Sequence, residues 1–172
     1  QLQTIRRFTT LEGLLSNAVF TIVPGGEKEY WIGTDGSGIN YYDVQTQKIN
    51  KLYIPDSLKN RVNLSAVYSI HVQNQNLIWV GTSGYGMYKF IIDKTTQPYS
   101  VSAYKQYIYR NGASGTLSNH IVYSIIQDDA LHLWVATRGG GINRFNTNTE
   151  EFQTYRFSLD KSERSLCRVI SL

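Results

Sequence analysis

The 172-residue sequence has little of several features that define common protein classes. It has a single cysteine, Cys167, so no disulfide can form within the chain. No apolar run approaches the length of a membrane span, and no long segment shows the 3.6-residue period of a helix. Only Arg6 and Arg7 are adjacent among the basic residues, although the net charge is +4. The basic stripe typical of nucleic-acid-binding proteins is therefore missing, and we expect no nucleic-acid partner.

One short pattern occurs three times along the chain. Each copy has a tryptophan, an aliphatic residue, a glycine or alanine, a threonine and a glycine-rich turn; the copies are Tyr30 to Asn40, Ile78 to Tyr88 and Leu133 to Asn143. The tryptophans Trp31, Trp79 and Trp134 are separated by 48 and 55 residues. This period is long for a solenoid turn and typical of a four-stranded propeller blade.

Each repeat contains four runs rich in β-branched and aromatic residues. The innermost strands are predicted within Leu15 to Ile22, Leu64 to Ile70 and Leu117 to Ile125, and the second strands contain the tryptophans. Third strands are predicted at Ile39 to Tyr42, Met87 to Phe90 and Ile142 to Phe145, and fourth strands at Ile49 to Tyr53, Ala103 to Tyr107 and Phe152 to Phe157. The sequence therefore predicts an all-β, partial β-propeller of four-stranded antiparallel blades with almost no helix.

The blade boundaries follow from these strands. We expect three blades at residues 14–58, 62–110 and 115–160. Residues 1–13, with Ile5 to Phe8, are expected to give an outer strand of a preceding blade, and residues 165–172 a first strand of a following blade. Because three blades leave two sheet edges open, we expect other blades of the same propeller or a second copy, as a homodimer, to cover those edges.

No group of residues in the sequence supports catalysis. The glycine turns resemble phosphate loops, but a strand follows each turn where a phosphate loop needs a helix. A calcium loop starting at Asp35 lacks the spaced oxygen ligands, and His71, His120 and His132 do not have metal-ligand spacing. We therefore expect no enzyme activity, no metal and no cofactor, and we expect the recurring glycines to serve tight turns with positive φ.

The recurring tryptophans could stack on sugar rings or pack inside the protein. A residue that recurs at one position of every blade usually packs between neighbouring blades. We therefore predict that Trp31, Trp79 and Trp134 are buried at equivalent positions. Tyr85 interrupts a glycine turn, and its side chain is predicted to be exposed.

The repeat resembles that of a known family. The pattern Leu-Ser-x-x-x-Val-Tyr-Ser-Ile followed by Leu-Trp-Val-Gly-Thr-x-Gly-Gly-Gly-Ile-Asn-Arg-Phe is similar to the two-component regulator propeller repeat, and residues 117–145 match it almost in full. This repeat is typical of the extracytoplasmic sensor region of hybrid two-component systems in polysaccharide-degrading bacteria. In that family, propeller blades precede a β-sandwich, a membrane span and a histidine kinase.

The resemblance implies a periplasmic, non-catalytic sensing domain of a membrane-anchored parent protein that recognises a carbohydrate or oligosaccharide. A protein-interaction scaffold without a small-molecule ligand is the alternative. Three departures from the repeat are Ala136 after the Trp-Val pair, Tyr85 in a glycine turn and a lengthened loop from Ile91 to Ser102. The repeat itself is structural, so the resemblance defines the architecture more closely than the ligand.

Strand direction predicts where a ligand would bind. If the innermost strand starts at one face of the disc, the second strand ends there, so the glycine turns and the blade connections share that face. Loops of this kind often carry function. The candidate ligand-binding residues are Asp35, Ser37, Tyr85 and Arg138 from the glycine turns, Asn17, Asn119 and His120 from the strand starts, and Arg110 with Asn111 from a connection.

Overall fold

The computed structural model describes residues 6–36 and 38–156 and shows three four-stranded antiparallel sheets there. Blade 1 comprises β1 Val19–Pro24, β2 Glu29–Thr34, β3 Ile39–Asp43 and β4 Lys48–Lys51. Blade 2 comprises β5 Val67–Asn74, β6 Leu77–Thr82, β7 Met87–Asp93 and β8 Ser100–Tyr107. Blade 3 comprises β9 Val122–Asp129, β10 His132–Thr137, β11 Gly141–Asn146 and β12 Phe152–Tyr155. A short 3₁₀ turn at Thr10–Glu12 and a helix, α1, at Asp56–Lys59 complete the described elements, and the predicted all-β class is confirmed.

Some strand boundaries differ from those predicted. The innermost strands begin at Val19, Val67 and Val122, several residues after the leucine that opens each repeat. The leucine-serine segments lie outside the sheets because side chains of the third strands, such as Asn143, hold their backbone. The loop predicted from Ile91 to Ser102 is shorter, since β7 continues through Asp93 and β8 starts at Ser100.

The outermost predicted segments have different outcomes. Arg6 to Phe8 form no strand in the structure, and Phe8 packs edge-on against Tyr42 of β3 at 5.4 Å. Ile5 and residues 157–172, which include Cys167 and the predicted strand of a following blade, lie outside the described residues. Their assignment to neighbouring blades stays a prediction.

Adjacent blades pack through one tryptophan each. Trp31 is fully buried in a cluster that includes Ile70, Ile78 and Phe90 of blade 2. Trp79 is fully buried in a second cluster with Val122, Leu133 and Phe145 of blade 3. Contacts between neighbouring sheets run from β1 to β5 and from β5 to β9, so the innermost strands lie closest together and the blades fan outward. This is the packing expected of a propeller.

The prediction that all three tryptophans are buried is wrong for Trp134. Its side chain is only partly buried, and it contacts Tyr155 and Arg144 of its own blade. Within the described residues, no sheet packs on this face of blade 3 in the way that blade 3 packs on Trp79. The recurring pattern therefore identified the equivalent position of Trp134 correctly, but burial of its side chain depends on a neighbouring blade.

In blades 2 and 3, the glycine turn between the second and third strands has no room for a side chain at its last position. Gly86 has φ of +74°, and a Cβ there would overlap the carbonyl oxygen of Tyr107. Gly141 has φ of +83° and the same relation to Tyr155 in blade 3. The predicted need for positive φ in these turns is confirmed.

None of the described helices is long and apolar enough to cross a membrane.

We expect Trp79→Ala to lower the free energy of unfolding by about 3–5 kcal/mol, because it empties a fully buried site between two blades. Trp134→Ala should cost about half as much, because the half-buried ring loses fewer contacts. Urea denaturation followed by circular dichroism measures both values. Equal costs would contradict the inter-blade role of Trp79.

We expect Gly86→Ala to cost about 2–4 kcal/mol, because it adds a steric overlap to an unfavourable φ. Gly112→Ala is the matched control: Gly112 has φ of +76°, and nothing lies within 4 Å of the added Cβ. The control should lose about 1 kcal/mol from φ alone. Equal losses in denaturant unfolding would show that the close approach to Tyr107 is unimportant.

Candidate ligand-binding face

The glycine turns and the blade connections lie on one face of the structure, as the strand directions predicted. A backbone hydrogen bond repeated in each blade joins the residue after the second strand to the residue before the first strand: Asp35 N to Ala18 O at 2.9 Å, Ser83 N to Ala66 O at 3.1 Å and Arg138 N to Ile121 O at 3.0 Å. In addition, Gly86 N of blade 2 donates to His120 O of blade 3 at 2.7 Å. We call this surface the glycine-turn face.

Buried threonines fix each glycine turn. The hydroxyl groups of Thr34, Thr82 and Thr137 donate to the carbonyl oxygens of Gly38, Gly86 and Gly141 at 3.0, 2.8 and 3.2 Å. Because these threonines are fully buried, the turns are held from below and present their central residues to solvent. The recurring threonine is therefore structural, and its neighbours in the turn are the residues available to a ligand.

Buried polar side chains of the third strands hold the connections. Asn143 accepts from Ser118 N at 3.1 Å and donates to Val135 O at 3.1 Å, and Asn40 accepts from Leu15 N at 2.9 Å. Blade 2 has Tyr88 instead, whose hydroxyl accepts from Asn63 N at 3.2 Å. Sequence reasoning missed this role, although the asparagine in two of the three repeats was a signal for it.

The predicted residues of the glycine turns are exposed. Asp35 and Arg138 have exposed side chains, and Tyr85 is 40% exposed, as predicted. Ser37 lies outside the described residues. The glycine turns of blades 1 and 2 each contact the connection that leads into the next blade: Asp35 forms a β-bridge with Ala66, and Ser83 forms one with Ile121.

The predicted residues of the strand starts and the connection are more constrained. The side-chain oxygens of Asn17 and Asn119 accept from Thr10 N and Ile121 N, both at 2.9 Å, so they close local turns. The half-buried ring of His120 packs edge-on against Tyr109 at 5.8 Å. Arg110 is exposed after β8, and its carbonyl accepts from Ala113 N at 3.2 Å. These residues share the glycine-turn face, and their role as ligand contacts stays a prediction.

A cleft of about 550 Å³ opens on this face between blades 1 and 2. Its lining includes Gly36 and Gly38 of a glycine turn, Lys51 at the end of β4, and Tyr53, Lys59 and Asn63 of the connection that follows, and these last four residues are exposed. Sequence reasoning missed all four as site residues, because Lys51 and Tyr53 lie in the segment predicted as a fourth strand, and Lys59 and Asn63 belong to a connection that the repeat pattern does not cover.

The connection that lines the cleft is anchored to both blades. Tyr53 N donates to Tyr99 O at 2.9 Å, and Val101 N donates to Tyr53 O at 3.0 Å. Lys59 pairs with Asp56, which raises the pKa of the lysine, and its ammonium lies 5.9 Å from the centre of the Tyr53 ring. The cleft therefore presents an aromatic ring and cations on an ordered backbone.

The opposite side of the blades carries a different chemistry. Buried Glu29 pairs with Lys94 and accepts a hydrogen bond from the Tyr99 hydroxyl at 3.3 Å, which joins blade 1 to blade 2. Glu150 pairs with Lys105, and this hydrogen bond is the main cause of a lowered pKa of the carboxyl group. The Glu150 side chain is half-buried against Lys105 and Tyr107 of blade 2. These carboxylates act as links between blades.

Within residues 6–36 and 38–156, no three histidine, cysteine or acidic side chains come together as a metal site. His71 lies on β5 between blades 2 and 3, and burial lowers the pKa of its imidazole. His132 pairs with Asp129 at 3.0 Å and begins β10.

The fold of this chain is similar to that of several solved structures. The extracellular domain of the putative hybrid two component system BT3049 from B. thetaiotaomicron matches with a TM-score of 0.69 and 22% identity, over 88% of this chain and 20% of that one. The corresponding domain of BT4673 matches with a TM-score of 0.64 and 28% identity, over 82% of this chain and 19% of that one. The Cps50 (Swd1) β-propeller domain of Myceliophteria thermophila matches with a TM-score of 0.51 and 12% identity, over 89% of this chain and 43% of that one.

A curated relative agrees with these structures. Histidine kinase P4 of Formosa agariphila is 27% identical over 116 residues, which are 64% of this chain and 8% of the kinase. No protein-family profile matches the chain. The chain thus spans about a fifth of the two sensor domains and a small part of the kinase.

These similarities support a sensor role and an extracytoplasmic location, since the two sensor domains are extracellular parts of two-component systems. They also confirm the resemblance on which the sequence analysis relied: the chain folds as a β-propeller segment that is similar to part of the extracellular domains of these two hybrid two-component systems.

Proposed function

We propose that this chain is a periplasmic, non-catalytic ligand-sensing segment of a hybrid two-component sensor, and that it recognises an oligosaccharide on its glycine-turn face. The observation that carries the proposal is the cleft between blades 1 and 2, which combines the Tyr53 ring with Lys51, Lys59 and Asn63. Sugar rings offer apolar C–H faces to an aromatic ring and hydroxyl groups to polar side chains. A ligand site of this size with few polar groups fits a small oligosaccharide.

Basic side chains of the face offer partners to anionic groups of a ligand. Lys51 lines the cleft beside Lys59, which is paired with Asp56, and Arg138 is exposed on the glycine turn of blade 3, as Asp35 is on that of blade 1. An arginine can bind a carboxylate or sulfate through two parallel hydrogen bonds, and lysines act as point charges. The proposal therefore includes uronic acids beside neutral sugars.

Sensing requires that a ligand changes contacts between parts of the protein. A ligand in the cleft would touch the glycine turn of blade 1 and the connection that is bonded to β8 of blade 2. It would thus link blade 1 to the connection that is hydrogen-bonded to blade 2, and would stabilise one arrangement of the two. We propose that this stabilised arrangement is in turn transmitted to a kinase.

We expect calorimetric titration to detect binding in a panel of six hexasaccharides, made of glucose in α and in β linkage, xylose, arabinose, mannose and galacturonic acid. Replacing Lys51 and Tyr53 together by alanine should weaken binding at least about tenfold, or about 1.4 kcal/mol. Lys28→Ala with Tyr30→Ala is the matched control, since both residues are exposed on blade 1 outside the cleft. A panel with no bound member would contradict the proposed ligand class, and equal affinities of the two variants would contradict the site.

The exposed faces of blades 1 and 3 favour the alternative, an assembly surface. Ile22 is 61% exposed, although its equivalents Ile70 and Ile125 are buried between blades. Trp134 is half-buried, although its equivalents Trp31 and Trp79 are fully buried. A second copy placed head to tail would bury Trp134 of one chain beside Ile22 of the other, repeating the internal interface.

We therefore expect light scattering during size exclusion, at micromolar protein, to give about twice the chain mass of 19.6 kDa. Ile126→Lys, on the same face as Trp134, should give a monomer, because a charge would replace an apolar contact. Val44→Lys, at a 40% exposed site elsewhere, should leave the dimer intact. A wild-type monomer would contradict this assembly.

A further inference from the structure

Each blade carries an aromatic residue at the same irregularity of its innermost strand. Near the start of β1, β5 and β9, one residue has no partner, while the residues before and after it pair with successive residues of the second strand. This is the pattern of a β-bulge. The unpaired residues are Phe20, Tyr68 and Tyr123. Three bulges at one register, each with an aromatic side chain, form a repeated structural feature that the function proposed above does not use.

The three rings form one row across the blades. Phe20 packs edge-on against Tyr68 with ring centres 4.9 Å apart, and Tyr68 is tilted against Tyr123 at 5.5 Å. Since β1, β5 and β9 are the innermost strands, the row follows the inner edge of the fan. We call these three residues the aromatic row.

Exposure separates the aromatic row from the recurring tryptophans. Phe20 is 46% exposed, and Tyr68 and Tyr123 are partly exposed. Their strand neighbours Val67 and Val122 are fully buried between blades. A bulge turns a side chain away from the regular alternation of a strand, and bulges are common beside functional sites. The rings of the row are therefore available to a ligand, unlike Trp31 and Trp79.

The aromatic row lies beside the glycine-turn face. Phe20 is two residues from Ala18, and Tyr68 and Tyr123 are two residues from Ala66 and Ile121. The backbone oxygens of Ala18, Ala66 and Ile121 accept the hydrogen bonds of the three glycine turns. The rings thus sit at the inner margin of the surface that carries Asp35, Tyr85 and Arg138.

We propose that the aromatic row binds successive sugar rings of an extended oligosaccharide that runs from blade to blade, an inference that rests on the proposed carbohydrate ligand. Each ring offers an apolar surface to the C–H face of one sugar residue, and the turn residues offer polar groups to its hydroxyls. Because three blades each contribute one ring, the row selects ligand length: a monosaccharide contacts one ring, and a trisaccharide or longer chain contacts several.

The test compares ligand lengths on the whole chain. The panel consists of the monosaccharide, trisaccharide and hexasaccharide of the same six sugar series, measured by calorimetric titration. For the sugar series that binds, the trisaccharide and hexasaccharide should bind wild type at least about tenfold tighter than the monosaccharide. Tyr68→Leu with Tyr123→Leu keeps apolar bulk and removes the rings, so this variant should lose that gain. Tyr30→Leu, at a 42% exposed tyrosine of blade 1 outside the row, should keep it.

The outcomes separate this inference from the proposed function. Binding with the same length dependence in wild type and in the double variant would overturn the role of the aromatic row and leave the carbohydrate proposal standing. An absence of binding by any member of the panel would overturn both. If the double variant does not fold, Phe20→Leu alone provides the same comparison. Phe20 is the most exposed ring of the row, and the other residues of β1 between Val19 and Pro24 are paired with β2.

Discussion

Burial of a tryptophan between each blade and the next is the contact on which the rest of this structure depends. Trp31 and Trp79 are fully buried, and each is surrounded by apolar residues of the following blade. The ring needs close approach of the next innermost strand, and Gly33 and Gly81 permit it: a Cβ at either position would lie 2.7 Å from Val67 or Val122. The distance between two blades is therefore set by the tryptophan that fills the space between them and by the glycine that lets the next innermost strand approach.

This packing divides the surface into two chemically different sides. At the hairpin side, carboxylates such as Glu29 and Glu150 are used in ion pairs that link neighbouring blades. At the glycine-turn face, buried threonines and asparagines satisfy the backbone from below, and the exposed side chains are left to solvent. Ligand recognition at this face would therefore leave the ion pairs of Glu29 and Glu150 between the blades intact.

The repeat made most of the fold predictable from the sequence. Tryptophan spacing gave the blade size, and alternating runs gave the second and third strands, because these features come from local pattern and recur. Innermost strand starts were predicted too early, because Leu117 and its equivalents look like strand residues but are held by Asn143-type side chains. Burial of Trp134 was predicted wrongly, because it depends on a neighbouring sheet that periodicity cannot report.

The candidate site was less predictable than the fold. Strand direction placed Asp35, Tyr85 and Arg138 on one exposed face, but the cleft is lined by Lys51 and Tyr53, from the segment predicted as a fourth strand, and by Lys59 and Asn63 of a connection without repeat pattern. Bulges such as that at Tyr68 depend on register between strands and cannot be seen in the alternation of one strand. Ala136, which stands where the other blades have glycine, is fully buried in the structure.

We expect a ligand to bind the glycine-turn face and to leave the hairpin side untouched. The change of backbone amide chemical shifts on titration with a bound hexasaccharide measures this directly. The shift changes should cluster in residues 35–39, 51–65, 83–87 and 119–123, and the hairpins at residues 25–28, 75–76 and 130–131 should keep their shifts. Changes confined to the hairpins, with the glycine turns unchanged, would contradict binding at the glycine-turn face.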